Sequence, residues 1–371
     1  MKALRSILII LLILVAGHSS AALRPETIRV AVVKGVETVT LDGNGVLVTG
    51  PNGEPLRLDP PIELRRSRDG VTVNGRPFSR IVATAAALVR VNGKGYRGIV
   101  EIGPGERGLL VVNELPLEEY LIGLINCEIS SAWPMEAIKA QAVIARSYAV
   151  FQKAARKNAP YQLESSVMDQ VYDGADQEDS RAARGVQETA GEVLTFNGRT
   201  IQAFYHANCS GHTEDSREVW GLSLPYLRGV PCKYCQEANP SRWEQTIPLK
   251  KVEGALKSAG YPVSGIREVR VGGRNESGRV QDVQITCSRG KVSVPGVAFR
   301  KAIGYGVVKS TNFDLLILGD DVMVAGAGSG HGVGLCQWGS KQRALDGFSY
   351  REILSYYYPG VQFSAAYSRP E

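Results

Sequence analysis

Three clusters in this 371-residue chain hold side chains of types that do chemistry. The first is the stretch CSGHTEDSREVWGLSLPYLRGVPCKYC, from Cys209 to Cys235. Cys209-x2-His212 and Cys232-x2-Cys235 read as two knuckles, each able to grip a metal ion from one turn. Four such ligands leave no open position for water, so a zinc ion held there would be structural. The competing reading is a Cys232–Cys235 disulfide in an oxidising compartment, which leaves His212 unexplained. The second cluster surrounds Glu128, which is followed by Ser130 and Trp133 between two expected helices. A carboxylate at such a junction beside an aromatic is partly desolvated, which raises its pKa and suits it to donate a proton. Lys139 and Arg146 follow seven residues apart on the next helix. That spacing puts both cations on one face, either as a ligand-binding pair or as a solvated basic stripe. The third cluster is GSGHGVGLCQWG, Gly328 to Gly339. Its glycines let a ligand approach the backbone, with His331 and Gln337 as polar contacts. No lysine follows in Walker spacing, so it is not a phosphate loop.

The elements that position these clusters differ along the chain. Residues 27–102 read as strands, with Asp-Gly and Asn-Gly pairs at 42–43, 69–70, 74–75 and 92–93 supplying hairpin turns. Around Leu117 the texture turns helical. Leu117 to about Ile125 forms a short helix, and Pro134 opens a second that runs to about Arg156. Met135, Ile138, Ala142, Ala145 and Ala149 make its buried stripe, and the many alanines imply a close neighbour. Strand character returns at 190–206, a mixed segment follows from Trp243, and the chain closes on helix, turn and helix. The expectation is an α+β fold, with a mixed catalytic core over 115–371 forming a substrate groove behind a β-rich region over 23–114.

The start, MKALRSILIILLILVAGHSSAALRP, reads as a secretory signal over residues 1–22: a basic n-region, a short apolar run and small residues at the end. An uncleaved anchor is the alternative. Either way the mature protein works outside the cytoplasmic membrane, in the periplasm or at the wall. The net charge of +6, lower once Lys2 and Arg5 leave, is too weak to argue for nucleic acid.

Four ordered blocks carry a resemblance: YLIGLINCEISSAWPMEAIKAQAVIARSYA, VYDG at 171–174, AFYHANCSGHTEDSREVWG with PYLRGV, and GHGVGLCQWGSKQRALDGFSYREILSYYYPGV. Together they resemble the SpoIID/LytB family. The resemblance implies a peptidoglycan lytic transglycosylase acting on glycan strands, with no organic cofactor. The catalytic glutamate falls on Glu128 and the family's lysine and arginine on Lys139 and Arg146. Tyr148, His206 and His331 fall in motifs lining the groove. A cysteine and histidine metal site occurs in some members, which supports a structural zinc on Cys209, His212, Cys232 and Cys235. A Cys127–Cys336 disulfide and two free thiols both remain open, and Cys287 has no evident partner. The second functional reading is a non-catalytic wall-binding modifier that stimulates a cell-wall amidase. A third, a zinc-dependent wall hydrolase, needs an open metal position.

Overall fold

A computed structural model describes residues 26–235 and 242–367. The signal segment expected over 1–22 lies outside the described residues. The chain is α+β, as the sequence implies. Its N-terminal strands, joined by Leu163–Glu164, form a seven-stranded and a six-stranded sheet. In strand 38–42, Val39 and Leu41 point inward while their neighbours face solvent, the alternation of a half-buried strand. Two of the four expected turns take the conformation that hairpins require: Asn74-Gly75 and Asn92-Gly93 hold both residues at positive φ.

Strand Leu109–Pro116 pairs antiparallel with strand Thr27–Val36 and runs straight into helix α1, Leu117–Glu128. Leu109, Val111 and Leu115 of the strand share one hydrophobic core with Leu117, Tyr120, Leu121 and Leu124 of the helix. The core is therefore continuous across residues 114 and 115.

Helix α2, Met135–Ala155, starts after Pro134 as expected. Its buried surface is wider than one stripe. Ile138, Ala142, Ala145 and Ala149 face the first core, while Ala140, Val143 and Ile144 face a second. A helix buried on two sides needs small residues wherever backbones approach, which is what its alanines supply. Helix α3, Ser180–Glu188, is capped by Asp179, whose carboxylate accepts from the Arg181 and Ala182 amides. Helix α4, Ser216–Trp220, lies in the loop after the second core's strands.

Residues 242–327 pack a third core of their own. It contains Trp243, Val252, Val283, Phe299, Phe313 and Val324, with Cys287 as a buried apolar member. Helices α5, Leu249–Ser258, and α6, Gly296–Ile303, belong to this inserted unit. The chain then returns to the second core with α7, Gln337–Leu345, and α8, Tyr350–Tyr357. Among the described residues no helix is long and apolar enough to cross a membrane.

Candidate active site

Glu128 is the last residue of α1. Its Oε1 accepts the Val171 backbone N–H at 2.8 Å. The Tyr205 hydroxyl and the Gln337 side chain also bond to this carboxylate. Burial pushes the Glu128 carboxyl above its usual range, and these three bonds partly oppose the shift. Three segments distant in sequence thus converge on one acid. A parallel pairing of Tyr205–His206 with Leu335–Cys336 brings two of them together. Behind the carboxylate, Gln337 Nε2 lies 3.3 Å from Gln141 Oε1 and Gln170 Nε2 lies 3.2 Å from the Tyr205 hydroxyl. Gln170 Oε1 in turn accepts from the Tyr120 hydroxyl at 3.1 Å.

The two cations on α2 do share a face, but that face packs on α3. Lys139 bonds Glu188 at 2.7 Å and Glu136 at 3.0 Å. Arg146 is fully buried, with Nε and Nη2 bonded to the two Glu118 carboxylate oxygens at 2.8 and 2.7 Å. Its remaining contacts are the carbonyls of Glu192 and Val186. The expectation that Arg146 contacts sugar is therefore corrected: its donors are spent on this chain's own oxygens. Lys139 is likewise held in an ion-pair cluster. Arg146→Met should destabilise the fold by about 3–5 kcal/mol, the usual effect of stripping one partner from a buried pair. Urea unfolding measures it, and a loss below about 1 kcal/mol would return Arg146 to a surface role.

Tyr148 is also buried. Its hydroxyl donates to Asp169 at 2.8 Å and accepts from Gln152 at 2.9 Å, and burial raises its pKa. His206 and His331 lie with ring centroids 5.7 Å apart. His331 Nδ1 accepts the Val333 N–H at 3.0 Å, so this tautomer carries its proton on Nε2. Burial, with Arg300 and Arg279 nearby, pushes His331 down to about 3. Burial also holds His206 well below its ordinary value, so both rings are neutral at pH 7. His331 packs 5.1 Å from Trp220, which stacks 4.3 Å from Phe204 and leaves 38% of its surface to solvent. An exposed aromatic face of this kind suits the apolar side of a sugar ring. A separate cavity of about 470 Å³ opens beside Phe151, Phe196, Arg199 and Tyr226 and holds none of the candidate site residues.

The thiols gather elsewhere. Cys209, Cys232, Cys235 and Cys336 are all buried, and their sulfurs lie within 4.8 Å of one another. Cys209 Sγ is 3.3 Å from Cys235 Sγ, and Cys232 Sγ is 3.8 Å from it. Four sulfurs about 2.3 Å from a tetrahedral zinc would be about 3.8 Å apart, so the donor set fits that ion. The Cys209 and Gly339 amides donate to Cys336 Sγ at 3.3 and 3.4 Å, as they would to a thiolate. His212 is corrected out of the set, because the ligand atoms that gather within 4.8 Å are those of Cys209, Cys232, Cys235 and Cys336, so Cys336 takes the fourth place. All six cysteines are free, so neither disulfide considered from sequence is formed.

Comparison with known proteins bears on this arrangement. Residues 105–196 match the family described as stage II sporulation protein. Residues 233–334 match a domain of unknown function (DUF8618). An uncharacterized protein of Brachyspira hyodysenteriae is 34% identical, over 73% of this chain and 73% of its own length. Stage II sporulation protein D of Bacillus subtilis is 28% identical, over 69% of this chain and 76% of its own. The chain belongs to the SpoIID/LytB family. Another relative, the amidase enhancer of Bacillus subtilis, is 29% identical over 66% of this chain but only 40% of its own length. Membership gives the protein a cell-wall-related role.

The SpoIID match contains Glu128, Val171 and all of α2. The second match covers the inserted unit and stops two residues before Cys336. Sequence reasoning missed Tyr205, although it immediately precedes His206 in the AFYH block. It also missed Val171, whose contribution is a backbone N–H that no side-chain pattern announces. Trp220 lay in the third block without a role.

Proposed function

We propose that this SpoIID/LytB protein is a peptidoglycan lytic transglycosylase that uses Glu128 first as acid and then as base. The observation that carries the reading is the half-buried Glu128 carboxylate, raised in pKa and fixed by three bonds from separate segments. Protonated Glu128 gives its proton to the oxygen joining N-acetylmuramic acid C1 to N-acetylglucosamine, and the C1–O bond breaks. The resulting carboxylate takes the proton from the muramyl C6 hydroxyl, whose oxygen closes on C1. The products are a free N-acetylglucosamine hydroxyl and a 1,6-anhydro end. Glu128 finishes protonated and no water is consumed, so one carboxyl suffices where hydrolysis employs two. Trp220, Phe204 and His331 form the stacking surface for a sugar, with Gln337 and Tyr205 orienting the acid. Mass spectrometry of products from purified sacculi tests the bond and the reaction together. Anhydro ends support the reading, and hydrated reducing ends would replace transglycosylation by hydrolysis.

Tyr205→Phe should shift the alkaline limb of the pH–rate profile upward, because the lost hydroxyl bond favours the ionised carboxylate. An unshifted limb with a lower rate would leave Tyr205 only a packing role.

Cys209, Cys232, Cys235 and Cys336 are the residues that would hold a zinc ion. Bound there, zinc supplies cross-linking rather than Lewis acidity, since four protein ligands close its coordination. Residues 1–22 are proposed as the export signal that puts the protein at the wall. A second reading rests on the relative named amidase enhancer: the chain binds glycan and stimulates an amidase. Activity on sacculi with no amidase present separates the two.

A further inference from the structure

The turn joining strands Ile266–Arg274 and Val280–Cys287 of the inserted unit reaches into the thiol region of the core. Its Asn275 Nδ2 and Ser277 Oγ both donate to Glu214 Oε2, at 2.8 and 2.7 Å. Arg279 follows at 1% exposure. Its Nη2 donates to the carbonyl of Cys209 at 2.9 Å. Its Nε stands 3.7 Å from Glu214, beyond hydrogen-bond reach, and both Nε and Nη1 are buried with no hydrogen-bond partner. Burial disfavours the charge on this guanidinium and Arg300 opposes it, while Glu214 and the sulfurs of Cys209, Cys336 and Cys235 favour it. Gly332 is fitted to it: a Cβ there would lie 2.7 Å from the Arg279 guanidinium carbon.

A buried guanidinium with two idle nitrogens is poorly compensated as it stands. Beside it lie four buried sulfurs which, as thiolates around a divalent ion, form a doubly negative centre. Glu214 stands 3.7 Å from the guanidinium without bonding it, and a thiolate centre would add further negative charge beside it. We propose that Arg279 is the buried counter-cation of a metal–tetrathiolate centre, and that metal binding locks the inserted unit onto the core through it. This rests on the reading of the four cysteines as a metal site. The inserted unit then acts as a second support for the centre, and its docking follows metal occupancy.

Chelator competition on the full chain measures zinc affinity. Arg279→Met should bind zinc about 10- to 100-fold more weakly, the range for lost outer partners, with Arg279→Lys in between. In parallel, hydrogen exchange of wild type with and without chelator reads the 275–279 turn and the Glu214 amide. Exchange there should accelerate at least about tenfold when metal is stripped. A wild type that binds no zinc overturns the metal site and the counter-cation together. A wild type that binds zinc no more tightly than Arg279→Met overturns the counter-cation alone. Unchanged exchange on stripping overturns the docking, and that arm decides even if the variant does not fold.

Discussion

Glu128→Gln lowers release of 1,6-anhydro products from sacculi by about 10²–10⁴-fold, the span attributable to a positioned acid and base. Both halves of the proposed reaction pass through this one group, so no neighbour relieves its loss. Glutamine keeps the size and one acceptor oxygen, and the bond from Val171 at 2.8 Å survives. The variant therefore still folds and binds glycan, and a pull-down with sacculi should match wild type. The same substitution has a stability signature with a fixed sign. Burial raises the folded-state pKa of Glu128 above its ordinary value of 4.5. Stability linked to a raised pKa is fully present below the unfolded value and is lost as pH rises through the folded one. Glutamine never ionises, so the variant should match wild type near pH 4 and gain on it as pH climbs to 8. Melting temperatures across that range check this. A difference that stays flat, or favours wild type at high pH, would remove the desolvated acid from the mechanism.

Cys336→Ser abolishes stoichiometric zinc binding, whereas His212→Ala leaves it intact. The two variants separate the ligand set expected from sequence from the one the fold assembles. If zinc stands about a thousandfold above its Kd, its contribution is about 4 kcal/mol. For a unit of this size, that is on the order of 10 °C in melting temperature. Chelator should lower wild type by a similar amount and leave Cys336→Ser unmoved. Zinc retained by Cys336→Ser, or lost from His212→Ala, would restore the original set.

The two misreadings share a cause. A heptad spacing places Lys139 and Arg146 on one face, but periodicity does not say what covers that face. Here α3 covers it, with Glu188 against Lys139 and the Val186 carbonyl against Arg146. Likewise Cys-x2-His looks like a knuckle locally, while the residue that completes the cluster arrives through the parallel pairing of Tyr205–His206 with Leu335–Cys336. Pairing between distant strands is a property of topology, not of spacing. What was legible rested on local chemistry: Pro134 opening α2, alanines forecasting close packing, and Asn-Gly turns. Gln337 was read as a ligand contact, whereas its side chain bonds Glu128. Of the inserted unit's strands, only those over 266–274 and 280–287 were legible. Their separate core was not, because no change of composition marks where it begins.

The thiol cluster also has a meaning for the chain as a polymer. Cys235 and Cys336 stand on either side of an excursion of about 100 residues, yet their sulfurs lie within 4.8 Å. Asn208 and Ser329, which bridge each other, close the same neck. Once the two ends of a loop are tied, its length matters little: doubling it costs only about 0.6 kcal/mol in closure entropy. Beyond this neck the unit's length can therefore vary at small entropic cost, provided that Arg279 and its turn keep their place against the core.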